Sequence, residues 1–240
     1  MAKLTEWMDQ SLYPQFGDNW DDTWFREILL EKLKPEHHWL DYGAGRGNVA
    51  QMNFKGKVAF MAGIDPGQEV LENPYLNDAK VLDLTENIIP YEDNVFDVVF
   101  SDNVMEHVQN PGVVFREVSR VLKVGGHFIS KTPSKLHYVP FFARLTPTAF
   151  HRYYNRLRGR EAVDTFPTVY GCNTRAAVKK YAVESGFKVN RVDFAEGRPE
   201  YLRLAAATYL LGYSYERIVN SSGAFAPYRA VMMFELQKTN

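Results

Sequence analysis

The chain has 240 residues, which is enough for one large domain with a sizeable core. Its 28 basic and 29 acidic residues give a formal net charge of −1, so the overall charge gives no indication of a nucleic-acid partner. The single cysteine, Cys172, excludes an internal disulfide framework and a cysteine-based zinc cluster.

Nothing in the sequence indicates export or membrane insertion. Residues 1–7 lack the apolar core of a signal peptide. The chain has no run of about 18 apolar residues, the length that a membrane-spanning helix needs. We therefore expect a cytoplasmic protein without a transmembrane segment.

Residues 1–37 precede the first predicted strand and are rich in aromatic side chains. The spacing of their apolar residues predicts an amphipathic helix over 22–33. We expect residues 1–37 to form a helical cap packed on the sheet. An alternative is that Tyr13 or Trp20 closes over a bound ligand.

A glycine-rich turn follows the first predicted strand, 38–42. The strand carries Asp41 near its end, and the turn contains Gly43, Gly45 and Gly47. Glycines let the backbone bend sharply and approach a ligand closely. A tight strand-to-helix turn without any ligand is the alternative interpretation.

The second predicted strand, 58–64, is followed by Asp65, which lies 18 residues beyond Gly47. In nucleotide-binding α/β folds an acidic residue at this point binds the ribose hydroxyls. The glycine turn and Asp65 together predict a cofactor that contains adenosine.

The spacing of the glycines argues against a dinucleotide such as NAD. The dinucleotide fingerprint needs a glycine at position 48, where this chain has Asn48. The carboxylate of Asp41 would repel a pyrophosphate, but it would attract a cation such as the ammonium or sulfonium group of S-adenosylmethionine. The pattern therefore favours S-adenosylmethionine.

Two further strands are predicted at 79–84 and 95–101. Asp83, in the first of them, could accept a hydrogen bond from an adenine amino group while Leu84 packs on the ring. Alternatively, Asp83 caps the following turn.

The clearest predicted helix covers 111–122. Asn110 can serve as its N-cap, Pro111 suits its first turn, and Gly125 with Gly126 would stop it.

Apolar runs continue to alternate with helical segments toward the C-terminus. Strands are predicted at 126–131, 187–194 and 228–237, and a helix is predicted at about 199–220. This alternation predicts an α/β fold with a doubly wound, seven-stranded, mostly parallel sheet whose last strand is antiparallel. We expect residues 1–240 to form a single domain.

Five segments occur in an order that is typical of one enzyme family. They are Leu40-Asp41-Tyr42-Gly43-Ala44-Gly45-x-Gly47, Gly63-Ile64-Asp65, Asp83-Leu84, Phe96-Asp97-Val98-Val99-Phe100-Ser101 and Leu122-Lys123-Val124-Gly125-Gly126. In this order they resemble class I S-adenosylmethionine-dependent methyltransferases over residues 38–132. Within that class the chain is similar to the small-molecule group that includes ubiquinone-biosynthesis O-methyltransferases. The resemblance implies a Rossmann-like fold and S-adenosylmethionine as the cofactor.

The resemblance also implies roles for residues at matching positions. The backbone of residues 43–45 would border the methionine part of the cofactor, Asp41 would hold its amino group, and Asp65 would bind the ribose hydroxyls. Residues 83–84 would contact adenine, and residues 101–102 would lie beside the methyl-bearing sulfur. The predicted cofactor-binding residues are Asp41, Gly43, Ala44, Gly45, Asp65, Pro66, Asp83, Leu84, Ser101 and Asp102.

In ubiquinone-type relatives a Glu-x-x-Glu-His pattern follows the fourth strand and can hold a divalent metal. This chain matches the pattern at Glu106 and His107 but has Asn103 in place of the first glutamate, and asparagine is a weaker ligand for a hard cation. We therefore assign no metal ligands. His107 is the predicted catalytic base that deprotonates an acceptor hydroxyl. Alternatively, Asn103 and His107 share one helix face and are structural.

Residues 133–160 combine six basic and six aromatic residues with no acidic residue. They could form a lid over an acidic or phosphorylated acceptor, a surface that touches lipid around a lipophilic acceptor, a grip on RNA, or an ordinary solvated helix face. We expect an inserted acceptor-binding or lid segment over 133–173. The predicted substrate-binding residues are His137, Tyr138, Arg144 and His151.

Taken together, the sequence predicts methyl transfer from S-adenosylmethionine to a small-molecule acceptor, at oxygen. The alternatives are a non-catalytic cofactor-binding partner subunit of the same fold and an RNA methyltransferase. The expected partner is a small molecule of acidic or lipophilic character, and a nucleic acid is not expected.

Overall fold

The computed structural model describes residues 2–143, 167–203 and 205–240, and its centre is a seven-stranded sheet. Its spatial strand order is β3-β2-β1-β4-β5-β7-β6, and β7 runs antiparallel to both of its neighbours. The predicted mostly parallel sheet with an antiparallel last strand is therefore confirmed. The strands are β1 (His38–Tyr42), β2 (Phe60–Asp65), β3 (Asp78–Val81), β4 (Phe96–Asp102), β5 (Leu122–Pro133), β6 (Phe187–Ala195) and β7 (Val231–Lys238).

Helices pack on both faces of this sheet. Successive side chains of β1 point to opposite faces. Trp39 belongs to the buried cluster that contains Phe25, whereas Leu40 belongs to the cluster that contains Phe115. No helix among the described residues combines the length and the apolar character needed to cross a bilayer. The described helices are α1 (Ala2–Leu12), α2 (Trp20–Leu30), α3 (Pro111–Val121), α4 (Tyr138–Ala143), α5 (Arg175–Glu184) and α6 (Ala206–Asn220).

Helix α3 ends within one residue of its predicted end at 122, but the two glycines are not what stops it. The chain passes from Val121 directly into β5 at Leu122, so Gly125 and Gly126 lie within the strand and the predicted stop at these glycines is wrong. Gly125 has a φ of +84° where the pairing of β5 with β4 shifts register. It therefore allows the backbone angle that this irregularity of the strand needs. Asn110 precedes the helix but makes no side-chain capping bond.

The N-terminal helices contact different parts of the domain. In α1, Asp9 accepts a hydrogen bond from the hydroxyl of Tyr209 in α6 at 2.8 Å. Just after α1, the buried Tyr13 donates to Glu216 of α6 at 3.0 Å. Trp20 begins α2 and packs so closely on Gly197 that an added Cβ there would lie 2.4 Å from its ring.

Candidate functional site

A cavity of about 450 Å³ opens at the carboxyl ends of β1, β2 and β4. Parallel strands place their carboxyl ends on one edge of the sheet, where doubly wound folds bind ligands. Its size lies in the range of about 300–1,000 Å³ that is usual for cofactor pockets. The predicted site residues that line it are Gly43, Asp65, Pro66, Leu84, Asp102 and His107.

The glycine turn after β1 is hydrogen-bonded to the end of β2. The amides of Gly43 and Ala44 both donate to the backbone oxygen of Ile64, at 2.8 and 3.0 Å. Gly43 has a φ of +91°, and a Cβ added there would lie 2.2 Å from a methyl group of Val104. The first glycine is therefore required by both its backbone angle and its neighbour.

Asn73 fixes the same turn from the other side. Its side-chain amide donates to the backbone oxygens of Ala44 and Gly45, at 3.0 and 3.1 Å. Asn73 could not be recognised from the sequence, because a lone asparagine 28 residues beyond the turn carries no recognisable spacing. The side chain of Asn73 thus ties the turn after β1 to the segment that follows β2.

Asp65 lies at the end of β2 with both carboxylate oxygens oriented by the backbone. Its Oδ2 accepts a hydrogen bond from the amide of Gly45 at 3.1 Å, and its Oδ1 accepts one from Gly67 at 2.8 Å. Burial raises the pKa of Asp65 above its ordinary value, and these two hydrogen bonds oppose the rise. An oriented carboxylate at this point suits a ligand that presents hydroxyl donors.

Asp41 is buried near the end of β1. Burial raises the pKa of its carboxyl well above the ordinary value, and the neighbouring carboxylates of Asp102 and Asp65 raise it further. All three influences disfavour the ionised form of Asp41. A cation bound beside these acids would favour the ionised form of Asp41.

Asp102, at the end of β4, contacts a buried lysine that sequence reasoning missed. Lys131 of β5 is fully buried, and its Nζ lies 3.0 Å from Asp102 Oδ1. The same Nζ lies 2.9 Å from Asp21 Oδ2 and also contacts Asp22, both in the first turn of α2. Burial raises the pKa of Asp102 to about 7, although the attraction of the Lys131 ammonium group lowers it. One lysine therefore faces three carboxylates.

Two predicted cofactor residues make contacts with the protein itself. Asp83 Oδ1 accepts hydrogen bonds from the backbone and the hydroxyl of Thr85, both at 2.7 Å. Ser101 is fully buried and donates to the hydroxyl of Ser130 at 2.8 Å. The predicted cofactor residues that do not line the cavity are Asp41, Ala44, Gly45, Asp83 and Ser101.

His107 lines the cavity, and its Nδ1 lies 3.1 Å from the backbone oxygen of Pro167. Glu106 is buried, and its Oε2 accepts a hydrogen bond from the hydroxyl of Thr132 at 2.8 Å. Residues 103–107 have no helical structure, so the alternative in which positions 103 and 107 share a helix face is wrong. A turn places His107 at the cavity wall.

His137 and Tyr138 follow β5 and do not line the cavity. His137 is buried, and its Nε2 lies 3.6 Å from Glu196 Oε2 just beyond β6. Burial lowers the pKa of His137 to about 3 and raises the pKa of Glu196 to about 8, so both groups are neutral near pH 7. The predicted residues Arg144 and His151 lie outside the described residues.

Comparison with known proteins identifies one domain family. Residues 40–130 match the methyltransferase domain. The chain is similar to the sarcosine/dimethylglycine N-methyltransferase of Halorhodospira halochloris, with 32% identity over 113 residues that cover 44% of this chain and 40% of that protein. It is 33% identical over 104 residues to a ubiquinone biosynthesis O-methyltransferase of Neisseria meningitidis, which cover 40% of this chain and 44% of that protein. The matched region thus spans less than half of either relative.

A solved structure extends the likeness beyond this region. The [4+2]-cyclase SpnF is similar in fold, with a TM-score of 0.56 and 18% identity over 91% of this chain and 81% of that chain. The likeness therefore includes segments before and after the matched domain.

The residues around the cavity fit S-adenosylmethionine. Asp65 offers an oriented carboxylate for a diol, Asp41 and Asp102 favour a nearby cation, and Ile64 and Leu84 supply apolar surface for a ring. Residues 40–130 match the methyltransferase domain, and over this region the chain is similar to S-adenosylmethionine-dependent methyltransferases.

Proposed function

We propose that this protein transfers a methyl group from S-adenosylmethionine to a hydroxyl oxygen of a small molecule. The observation that carries the proposal is the carboxylate of Asp65, which the amides of Gly45 and Gly67 orient at the cavity wall. There it accepts hydrogen bonds from the two ribose hydroxyls of the cofactor. Hydrogen bonds to a charged acceptor are the strong ones, so this contact supplies a large share of cofactor affinity.

The remaining cofactor contacts follow the glycine turn. Asp41 and Asp102 hold the ammonium group of the methionine part, because a cation offsets the repulsion between buried carboxylates. The backbone of residues 43–45 borders the same part, and Leu84 packs on adenine. Bound cofactor supplies an electrophilic methyl group on a sulfonium sulfur.

The protein contributes chiefly by positioning the acceptor. In-line placement of two reactants removes much of the entropy cost of a bimolecular step, so methyl transfer makes a small demand on acid–base chemistry. Transfer to a hydroxyl still requires loss of its proton. His107 lines the cavity and takes that proton.

The contact of His107 with Pro167 supports this role. If Nδ1 carries the proton and donates it to the Pro167 oxygen at 3.1 Å, then Nε2 is the basic nitrogen of the neutral ring. A general base needs such an orientation, because the hydrogen bond of Nδ1 fixes the direction in which the basic Nε2 points.

The acceptor is proposed to be a small molecule with acidic or lipophilic character. The excess of basic over acidic residues in 133–160 supports an acidic group. The names of the relatives are compatible with this class, since sarcosine and dimethylglycine carry carboxylates. They also include both N- and O-methyltransferases, so the acceptor atom requires a direct test.

The test uses purified protein, S-adenosylmethionine with a labelled methyl group, and three acceptor classes: a carboxylated catechol, sarcosine and transfer RNA. Label on the catechol oxygen supports the proposal. Label on the sarcosine nitrogen would overturn oxygen as the acceptor atom, and label on transfer RNA would overturn the small-molecule acceptor. With the cofactor held near its wild-type dissociation constant, Asp65→Ala should strongly reduce the label, while Asp193→Asn on the exposed face of β6 serves as the matched control.

One observation favours a second candidate. The similar fold of a [4+2]-cyclase means that this architecture alone does not determine methyl transfer. The second candidate is a cofactor-binding protein that does not transfer methyl groups. Saturable binding of S-adenosylmethionine, without label on any of the three acceptors, would favour it.

A further inference from the structure

Lys131 joins the N-terminal helix α2 to the edge of the cavity. Its side chain is fully buried, a position that lysine occupies only when it is paired. On one side its Nζ contacts Asp21 at 2.9 Å and Asp22, which lie 110 and 109 residues away in the sequence. On the other side it lies 3.0 Å from Asp102, which lines the cavity.

The contact of Lys131 with α2 is more than one ion pair. Asp21 and Asp22 lie in the first turn of the helix, where carboxylates also interact favourably with the helix dipole. The ring of Phe25, one turn further along α2, has its centroid 5.9 Å from the same Nζ. The start of α2 is therefore held to the sheet through the ammonium group of Lys131.

The contact with Asp102 uses one oxygen of the carboxylate. Both Lys131 and the side-chain amide of Asn103 meet Oδ1, each at 3.0 Å. The direction in which this carboxylate points thus depends on where Lys131 lies. Any movement of α2 that shifts Lys131 also shifts a group in the cavity wall.

The charges of this cluster are unbalanced. Lys131 carries one positive charge against the carboxylates of Asp21, Asp22 and Asp102, and Asp41 adds a further buried carboxyl nearby. Like charges that are shielded from water repel more strongly than exposed ones, so this partly buried cluster favours either a proton or a second cation. The ammonium group of S-adenosylmethionine is a cation of the required kind.

We propose that Lys131 is a positioning residue that couples docking of α2 to occupation of the cofactor cavity. Binding of the cofactor strengthens the hold on α2, and by linkage the hold on α2 strengthens binding of the cofactor. The coupling concerns the cofactor alone and does not depend on the identity of the acceptor.

The test substitutes the α2 side of the cluster. Lys131→Met would leave three partly buried carboxylates without their cation, so it endangers folding. Asp21→Asn with Asp22→Asn leaves Lys131 paired with Asp102 and keeps the shapes of the side chains. The matched control is Glu31→Gln at the other end of the helix, where an exposed carboxylate pairs with Arg191 at 2.9 Å.

S-adenosylhomocysteine is the probe, because it carries the same ammonium group and undergoes no turnover. In the double variant we expect its dissociation constant by calorimetry to rise about fivefold or more. In the wild-type protein the ligand should slow amide hydrogen exchange over residues 20–30, and the double variant should lose this protection. Glu31→Gln should behave as the wild-type protein does in both measurements.

A proton count separates this coupling from a merely structural role. Calorimetry near pH 7 in buffers of different ionisation enthalpy measures the protons released on binding. The wild-type protein should release protons, because the ligand's ammonium favours the ionised forms of Asp41 and Asp102, whose pKa values burial raises. The double variant should release fewer, because the repulsion from α2 is gone while Lys131 remains. Unchanged affinity, unchanged exchange protection or an equal proton count in the double variant would overturn the proposal.

Discussion

The backbone amide of Gly45 donates a hydrogen bond to Asp65 Oδ2 at 3.1 Å and so ties the turn after β1 to the end of β2. The other carboxylate oxygen is held by the amide of Gly67 at 2.8 Å. Both oxygens are therefore oriented before a ligand arrives. Such preorganisation reduces the entropy that binding must overcome.

Asp65→Ala should weaken the binding of S-adenosylmethionine by about 1.5–3 kcal/mol, the scale of a lost hydrogen bond to a charged group. This corresponds to a rise in the dissociation constant of about 10- to 150-fold. Calorimetric titration measures it directly, with Asp193→Asn on β6 as the control. Unchanged affinity in Asp65→Ala would place the ribose site elsewhere.

Gly43→Ala should destabilise the fold more than Gly56→Ala. Both glycines have positive φ angles, +91° and +78°, so both substitutions strain the backbone. Only the Cβ at position 43 meets a neighbour, at 2.2 Å from Val104, whereas the space around position 56 is open. We expect an additional loss of about 1–3 kcal/mol in the free energy of unfolding from the clash.

Denaturant unfolding of both variants measures this difference. Val104→Ala in the Gly43→Ala background should recover part of it, because the smaller side chain removes the colliding methyl group. Equal losses in the two glycine variants would mean that the close approach of Val104 is of no consequence.

The strands and the glycine turn could be predicted from sequence because their signals are local. Apolar runs and the spacing of Gly43, Gly45 and Asp65 lie within short segments of the chain. The positions of all seven strands agree with the structure to within a few residues. The role of Gly125 was mispredicted, because this glycine lies in β5 where the register of pairing with β4 shifts, and that pairing is not visible in the sequence.

The buried charges of the site were not predictable in this way. Lys131 reads as an ordinary strand residue, and its partner Asp22 lies 109 positions away. Asn73 and Glu196 likewise acquire their roles from residues that only the folded chain brings together. Sequence patterns identify the elements, but contacts between distant elements decide which polar groups are buried.

His107→Gln should lower the turnover number about 10²- to 10⁴-fold, the usual contribution of a general base. Affinity for S-adenosylhomocysteine should stay within about twofold, because a group that only moves the acceptor proton adds nothing to cofactor binding. His38→Gln is the control, since His38 lies at the opposite end of β1 against the ring of Phe60. A parallel loss of cofactor affinity in His107→Gln would mean that His107 holds the cofactor instead.

Glu196 and His137 form a buried pair whose ionisation is suppressed by burial. The folded-state pKa of Glu196 is raised from 4.5 to about 8. For a carboxyl with a raised pKa, the contribution to stability is fully present below the unfolded-state pKa and is lost as the pH rises through the folded-state pKa. The cost of ionising Glu196 therefore accumulates between about pH 4.5 and pH 8.

Glu196→Gln should remove this part of the pH dependence, because glutamine is neutral throughout and its oxygen can still accept the hydrogen bond that the amide of Ala230 donates at 2.8 Å. The free energy of unfolding of the wild-type protein, relative to Glu196→Gln, should fall steadily as the pH is raised across that window. Urea unfolding at several pH values measures it. In the control Glu184→Gln, which changes an exposed carboxylate, the free energy of unfolding should depend on pH as it does in the wild-type protein. The contradicting outcome is a free energy of unfolding of Glu196→Gln that changes with pH as that of the wild-type protein does. In that case the carboxyl of Glu196 would have an ordinary pKa, and its pairing with His137 would involve a charged carboxylate.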